Sequence, residues 1–380
     1  MKRAPIREIV WLFLATRLLL VLVTYFGYIL LTAEKYSSTP VNLIAFFTSW
    51  DRWDALRYLS IAQYGYKTPF DFAFFPLFPL LTALITPPLG SWSYLAVGML
   101  ISNAALLGTL VVLYQLAADI GGELVARRTL LYLCIFPTAF FFFAAYNESL
   151  FLLLITGAFL ALRRQRWWLA GLLGFFATLT RSAGLILVVP YLYELWLARE
   201  SVIMRWRNIV FGVAPILLIP LGILLYSLYC WKMTGNPLVF ASVQDHWARH
   251  LSWPWVGLWQ AFFELFWNQP FGSFNEVHVL LDLSATLGFI ALTILGWRKL
   301  RVSYNLWIAL LLLYIILTPS IDQHDSLISN QRFVLEMFPA FITLAMLGIQ
   351  KPRLHQTLML LFPPLLATLS LLFVMNRWMV

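Results

Sequence analysis

Two aspartates three residues apart, Asp51 and Asp54, sit in the stretch SWDRWDALRYLSIAQYGY, with Arg57 three residues further on. On a helix this spacing puts the two carboxylates on adjoining positions of one face, while Trp50, Trp53, Leu56, Leu59 and Ile61 form an apolar side. Carboxylates so placed suit general acid or base work. The same pattern also makes an interfacial anchor, with indoles at headgroup level and an Asp54–Arg57 ion pair. Glu148, in YNES between two apolar runs, is either a functional acid or a helix N-terminal carboxylate favoured by the dipole, with Asn147 as cap. Arg181 in ATLTRSAGLILVVP and Arg332 in SNQRFVLEMFPAF have guanidiniums that match phosphate oxygens. The alternatives are a snorkelling Arg181 and an Arg332 paired with Glu336 one turn later.

Other chemistries find less support. His246 and His250 share a face in HWARH, but the glutamate of a zinc-binding HExxH motif is missing, and no metal site is expected. No Walker loop and no dinucleotide fingerprint is present, so a nucleotide-bound donor has no cradle. Cys134 and Cys230 both lie in apolar segments, which argues against a disulfide framework or a reactive thiol.

The elements that must position these residues are helices in lipid. The chain has 380 residues, 61% hydrophobic and 11% charged, with a mean hydropathy of +0.80. Soluble domains carry about 25% charged residues. Apolar runs at 9–31, 91–118, 129–162, 167–198, 208–231, 277–297, 304–319, 333–349 and 357–375 predict an all-α integral membrane protein of about eleven spans if each needs roughly 20 residues. The formal charge of +9 comes as short clusters between these runs: Lys2/Arg3/Arg7, Arg127/Arg128, Arg163/Arg164/Arg166, Arg199/Arg205/Arg207, Arg298/Lys299/Arg301 and Lys351/Arg353. That is a positive-inside signature and not a nucleic-acid surface.

Placing every cluster in the cytoplasm sets the path. The first helix delivers residues 32–90 to the outer face. The stretch 70–90, with Pro76, Pro79, Pro87 and Pro88, must then be a half-helix or re-entrant piece, and 93–117 the second span. Asp51, Asp54, Arg57, Asp71, Glu148, Arg181, Asp245, Arg249, Asp322, Asp325 and Arg332 then all face outward. The whole chain, 1–380, reads as one polytopic membrane domain, with a core over 1–200 and more variable helices over 208–380. No internal repeat supports the competing class, a lipid or glycolipid transporter or flippase.

WDALRYLSIAQYGY, then FAFFPLFPLL, YNESLFLLL and ATLTRSAGLIL, resemble the PIG-V mannosyltransferases in order and spacing over roughly residues 50–190. The resemblance implies a GT-C fold with an interfacial helix in the first extracytoplasmic loop. It implies transfer of a hexose, mannose in this family, from a polyprenyl- or dolichyl-phosphate sugar to an acceptor hydroxyl on a lipid-linked, glycan or protein acceptor, with inversion. On that template Asp54 matches the catalytic base, with Asp51 as the alternative, and Glu148 the second acidic position. Arg181, Arg332 and Arg57 are the candidates for the donor phosphate. Arg57 stands where eukaryotic members tend to carry His. The residues indicate no particular cofactor, although acidic residues on one face leave room for a divalent cation. Short loops favour a bacterial or archaeal plasma membrane, with the endoplasmic reticulum as the alternative.

Overall fold

The computed structural model describes residues 4–34, 38–86, 90–199, 212–321 and 324–378. Lys2, Arg3, Pro87, Pro88, Arg205, Arg207 and Asp322 fall outside them. The principal helices are α1 (Ile6–Thr32), α2 (Asp54–Tyr64), α3 (Leu77–Ile85), α4 (Ser91–Ile135), α5 (Glu148–Arg163), α6 (Trp167–Thr180) and α7 (Val188–Leu197). They continue with α8 (Leu218–Thr234), α9 (Pro254–Phe263), α10 (Phe274–Gly296), α11 (Val302–Ile316), α12 (Phe338–Gln350) and α13 (Pro352–Val374). Among the described residues the only β pairing is a single bridge between Arg249 and Ser320. The chain is an all-α, multi-pass membrane protein.

Among the described residues, five helices are long and apolar enough to cross a membrane: 6–32, 92–135, 214–234, 274–296 and 352–374. A sixth is added if 330–336 and 338–350, bent by 86° at Met337, form one broken span. Three shorter apolar helical stretches, 167–180, 182–197 and 302–316, accompany them, and several of the apolar runs are interrupted. The run 129–162 breaks between Phe136 and Asn147, and 167–198 turns at Arg181, where the backbone is extended (φ −156°). The piece predicted as a half-helix is α3, whose nine residues reach about 14 Å, half of a ~30 Å hydrocarbon core.

Two compact units share these elements. The first comprises residues 1–65, 78–153 and 344–379, the second 66–77 and 154–343. In the first unit α4 bends at Gly122, whose φ of 79° suits a residue without a side chain. Beyond the bend Arg127 pairs with Glu8 at the start of α1 (3.0 Å), and Tyr132 hydrogen-bonds His355 Nδ1 in the first turn of α13 (2.9 Å). The basic clusters near residues 7, 127 and 351 therefore gather at one end of this unit, as the charge pattern required. Along α1 the residues Trp11, Leu14, Leu18 and Leu22 are exposed, which suits a face turned to lipid.

In the second unit, residues 66–77 fold onto α8. Tyr226 donates to the Phe72 carbonyl (2.8 Å) and Tyr66 to that of Phe74 (2.7 Å), above a core of Phe72, Phe75, Cys230 and Phe240. Asp71 accepts from the Lys67 and Thr68 N–H groups (3.0 and 2.8 Å), so this acid caps a turn. The segment 317–328 is stitched to residues 248–260 by His250 N–H to Pro319 (3.3 Å), Ile321 N–H to Ala248 (3.2 Å) and Gln260 Nε2 to Ile321 (2.6 Å).

Candidate active site

The Trp-Asp repeat does not form one continuous helical face. Trp53 takes φ 55°, outside the helical region, and α2 begins at Asp54. Asp51 therefore lies in the preceding turn and does not share the helix with Asp54. A non-glycine residue at positive φ is strained and persists only where tertiary contacts hold it. Here Tyr146 does so: its hydroxyl donates to the Arg52 carbonyl (3.2 Å) and accepts from the Asp54 N–H (3.2 Å). Trp50 is a core residue and not a headgroup anchor, 2% exposed and edge-on to Phe143 at 4.7 Å. Trp53 packs against Trp378 (5.1 Å). On α2 the buried side is Ala55, Tyr58, Leu59 and Ile61, while Leu56 and Arg57 are exposed.

Tyr146 is itself locked. Ser102 on α4 donates to its carbonyl (2.6 Å) and accepts from its N–H (3.3 Å), while Asn103 donates to the Phe143 carbonyl (3.0 Å). Close approach is possible because residue 98 is glycine. A Cβ there would lie 2.9 Å from the Ala145 Cβ and 3.2 Å from Leu59 Cδ2. The start of α2 and the YNES turn, 92 residues apart at the Asp54–Tyr146 bond, are thus one assembly on α4. Glu148, the first residue of α5, is fully buried, as are its neighbours Asn147 and Ser149.

Asp51 has a different environment. Its Oδ1 is buried without a hydrogen-bond partner. Burial pushes its carboxyl up to about 6, against the pull of Arg52. From Ser102, which holds Tyr146, α4 runs 20 residues to its bend at Gly122, roughly 30 Å at 1.5 Å per residue. The acidic assembly and the basic clusters therefore lie about one hydrocarbon thickness apart within this unit.

The arginines predicted as phosphate ligands lie in the second unit, except Arg57. Arg181 follows α6 where the chain turns into a 3-10 segment, and its guanidinium pairs with Glu336 at 2.6 Å. The carboxylate of this pair, Glu336, lies one helical turn beyond Arg332 in the sequence. Arg332, 4% exposed, follows Ser329, a residue in left-handed conformation (φ 69°). Phe333 gathers three guanidiniums around its ring: Arg249 at 4.9 Å, Arg181 at 5.1 Å and Arg332 at 5.9 Å. Arg249 was not singled out as a ligand from sequence, because HWARH reads as a polar loop. Its Nη2 donates to the Ile328 carbonyl (3.0 Å). Three guanidiniums within 6 Å of one ring concentrate positive charge, which Glu336 offsets at Arg181, and each offers the forked geometry that suits phosphate oxygens.

The fold defines a class. The chain is similar to ArnT from Cupriavidus metallidurans, in a crystal structure bound to undecaprenyl phosphate, with a TM-score of 0.52 and 14% identity over 94% of this chain and 63% of that one. It thus has the fold of the GT-C membrane glycosyltransferases. The model of the mannosyltransferase (PIG-V) family matches residues 9–229, more than half of the chain, and the chain belongs to that family. The GPI alpha-1,6-mannosyltransferase 2 of Rattus norvegicus is 39% identical over 147 residues, 36% of this chain and 30% of the relative. That of Homo sapiens is 40% identical over 146 residues, 36% of this chain and 29% of the relative. The matched stretch spans less than a third of either relative's length.

Proposed function

We propose that this chain is a membrane mannosyltransferase that moves mannose from a polyprenyl- or dolichyl-phosphate donor to an acceptor hydroxyl on the extracytoplasmic side, with inversion. The observation that carries the reading is the Tyr146 tie, which joins the two acidic motifs of the family into one assembly away from the basic clusters. Asp54 takes the acceptor proton as the hydroxyl oxygen attacks the anomeric carbon. The bond from that carbon to the phosphate oxygen breaks, and the lipid phosphate leaves with the electron pair. The leaving group is already a stable anion, so one carboxylate suffices, unlike the acid–base pair of a hydrolase. Arg181, Arg332 and Arg57, joined here by Arg249, are the groups proposed to stabilise its charge. Glu148 orients the acceptor or the sugar.

Support comes from family membership and from the fold neighbour, which was crystallised with the kind of lipid phosphate proposed here as leaving group. A second reading makes Asp51 the base, favoured by its buried, partnerless Oδ1 and by a carboxyl pushed up to about 6. The acceptor is a lipid-linked, glycan or protein hydroxyl. The membrane is a prokaryotic plasma membrane, with the endoplasmic reticulum as the alternative that the animal relatives favour. The test is transfer by purified protein in vesicles, offered polyprenyl-phosphate mannose or GDP-mannose with a glycolipid acceptor. Product from the lipid donor alone is expected. Product formed only with GDP-mannose contradicts the proposal.

A further inference from the structure

A second polar cluster lies in the second unit and plays no part in the proposed transfer. His278 and Asp282 are one turn apart on α10, and Asp325 comes to them from the segment before Arg332. His278 Nδ1 lies 2.8 Å from Asp325 Oδ2 and 3.9 Å from Asp282 Oδ2. All three donor atoms fall within 4.8 Å of one another, and the residues are 7%, 0% and 4% exposed. The outer oxygen of each carboxylate is occupied by backbone: Asp282 Oδ1 accepts from the Gln331 N–H (2.7 Å) and Asp325 Oδ1 from the Leu327 N–H (2.8 Å). The inner Asp282 Oδ2 is fully buried, faces the other two groups and has no hydrogen-bond partner.

We propose that His278, Asp282 and Asp325 bind a divalent transition-metal cation, zinc by their donor set. Two carboxylates and a neutral imidazole sum to a charge of −2, which a divalent ion balances. Zinc bonds of about 2.0–2.2 Å in tetrahedral geometry put donor atoms roughly 3.3 Å apart, between the two separations observed. The imidazole and the small number of oxygens disfavour calcium and magnesium, which take six or more oxygens or keep several waters. The backbone N–H groups on the outer oxygens match the supporting shell that orients metal-binding carboxylates.

The ion fastens residues 325–331 to α10. The seam continues one turn further, where Asn330 Nδ2 donates to Thr286 Oγ1 (3.1 Å), and Arg332 follows immediately. A consequence for transfer rests on the phosphate-binding role proposed for Arg332; metal binding does not. The competing occupant is a proton shared by the two carboxyls.

The test uses purified full chain, stripped with EDTA and dialysed. Added Zn²⁺ is expected to raise Tm by about 2–8 °C and to remain at one equivalent per chain after desalting, by mass spectrometry. Co²⁺ in its place should give visible absorption bands of a low-coordinate site. Asp325→Asn and Asp282→Asn should each lower bound zinc at least tenfold, while His250→Ala leaves it unchanged. The wild-type titration stands even if a variant fails to fold. Stripped wild type that retains no zinc and shows no Tm response overturns the site in favour of the shared proton. Zinc lost with His250→Ala and kept in both aspartate variants overturns it too.

Discussion

Asp51 and Asp54 differ by three positions in sequence and by their surroundings in the fold, and the difference predicts separate behaviour. Asp54 opens a helix with its N–H held by Tyr146, whereas Asp51 has a buried oxygen without a partner and a carboxyl pushed from 3.8 up to about 6. The raised value means that the folded chain holds a proton that the unfolded chain has released between about pH 4 and pH 6. Stability therefore falls as pH rises through that window. Asp51→Asn removes the cost of the charged form, so its Tm should exceed wild type at pH 7.5 and the difference should shrink towards pH 4. A thermal melt series from pH 4 to 7.5 checks this, and equal Tm values throughout would mean that Asp51 is not held up by burial. The two Trp-Asp pairs were legible in the sequence as a polar stretch with chemistry. The break between them was not, because the positive φ of Trp53 is imposed by Tyr146 and has no signal in the residues around it.

Elements bring distant motifs together, and here a single phenol does most of the joining. Tyr146 links the turn at 52–54 to the start of α5, while Ser102 and Asn103 fix that turn on α4. Tyr146→Phe keeps the ring contacts with Phe141 (4.9 Å) and Tyr58 (6.4 Å) but releases the Arg52 carbonyl and the Asp54 N–H. Lost hydrogen bonds of this kind cost about 1–2 kcal/mol, so a modest loss of stability is expected. Mispositioning of α2 should lower transfer by about ten- to a hundredfold, and turnover equal to wild type would remove Tyr146 from a positioning role. The short helix α3 and the turn before Glu148 were readable from the prolines and from the polar YNES break between apolar runs. Arg249 and the His278–Asp282–Asp325 cluster were not. Their members come from loops and helices far apart in sequence, 47 residues between His278 and Asp325, and no spacing rule joins them.

On the scale of the molecule, charge and hydropathy carry most of the architecture. The basic clusters near residues 7, 127 and 351 collect at one end of the first unit, and the assembly that holds Asp54 and Glu148 lies about a bilayer core away along α4. That separation is what the proposed transfer from an outward-facing lipid-linked sugar requires of its base. The ends of the helices were less legible than the helices themselves, since apolar runs continue through breaks at Phe136, Arg181 and Met337 that only the fold reveals. The central claim is that Asp54 is the base of the transfer. The direct measurement is mannosyl transfer from polyprenyl-phosphate mannose by purified wild type, Asp54→Asn and Asp51→Asn at matched, folded concentration. Loss of at least about a hundredfold in kcat for Asp54→Asn, with Asp51→Asn active, is the predicted result. An active Asp54→Asn with an inactive Asp51→Asn would contradict it.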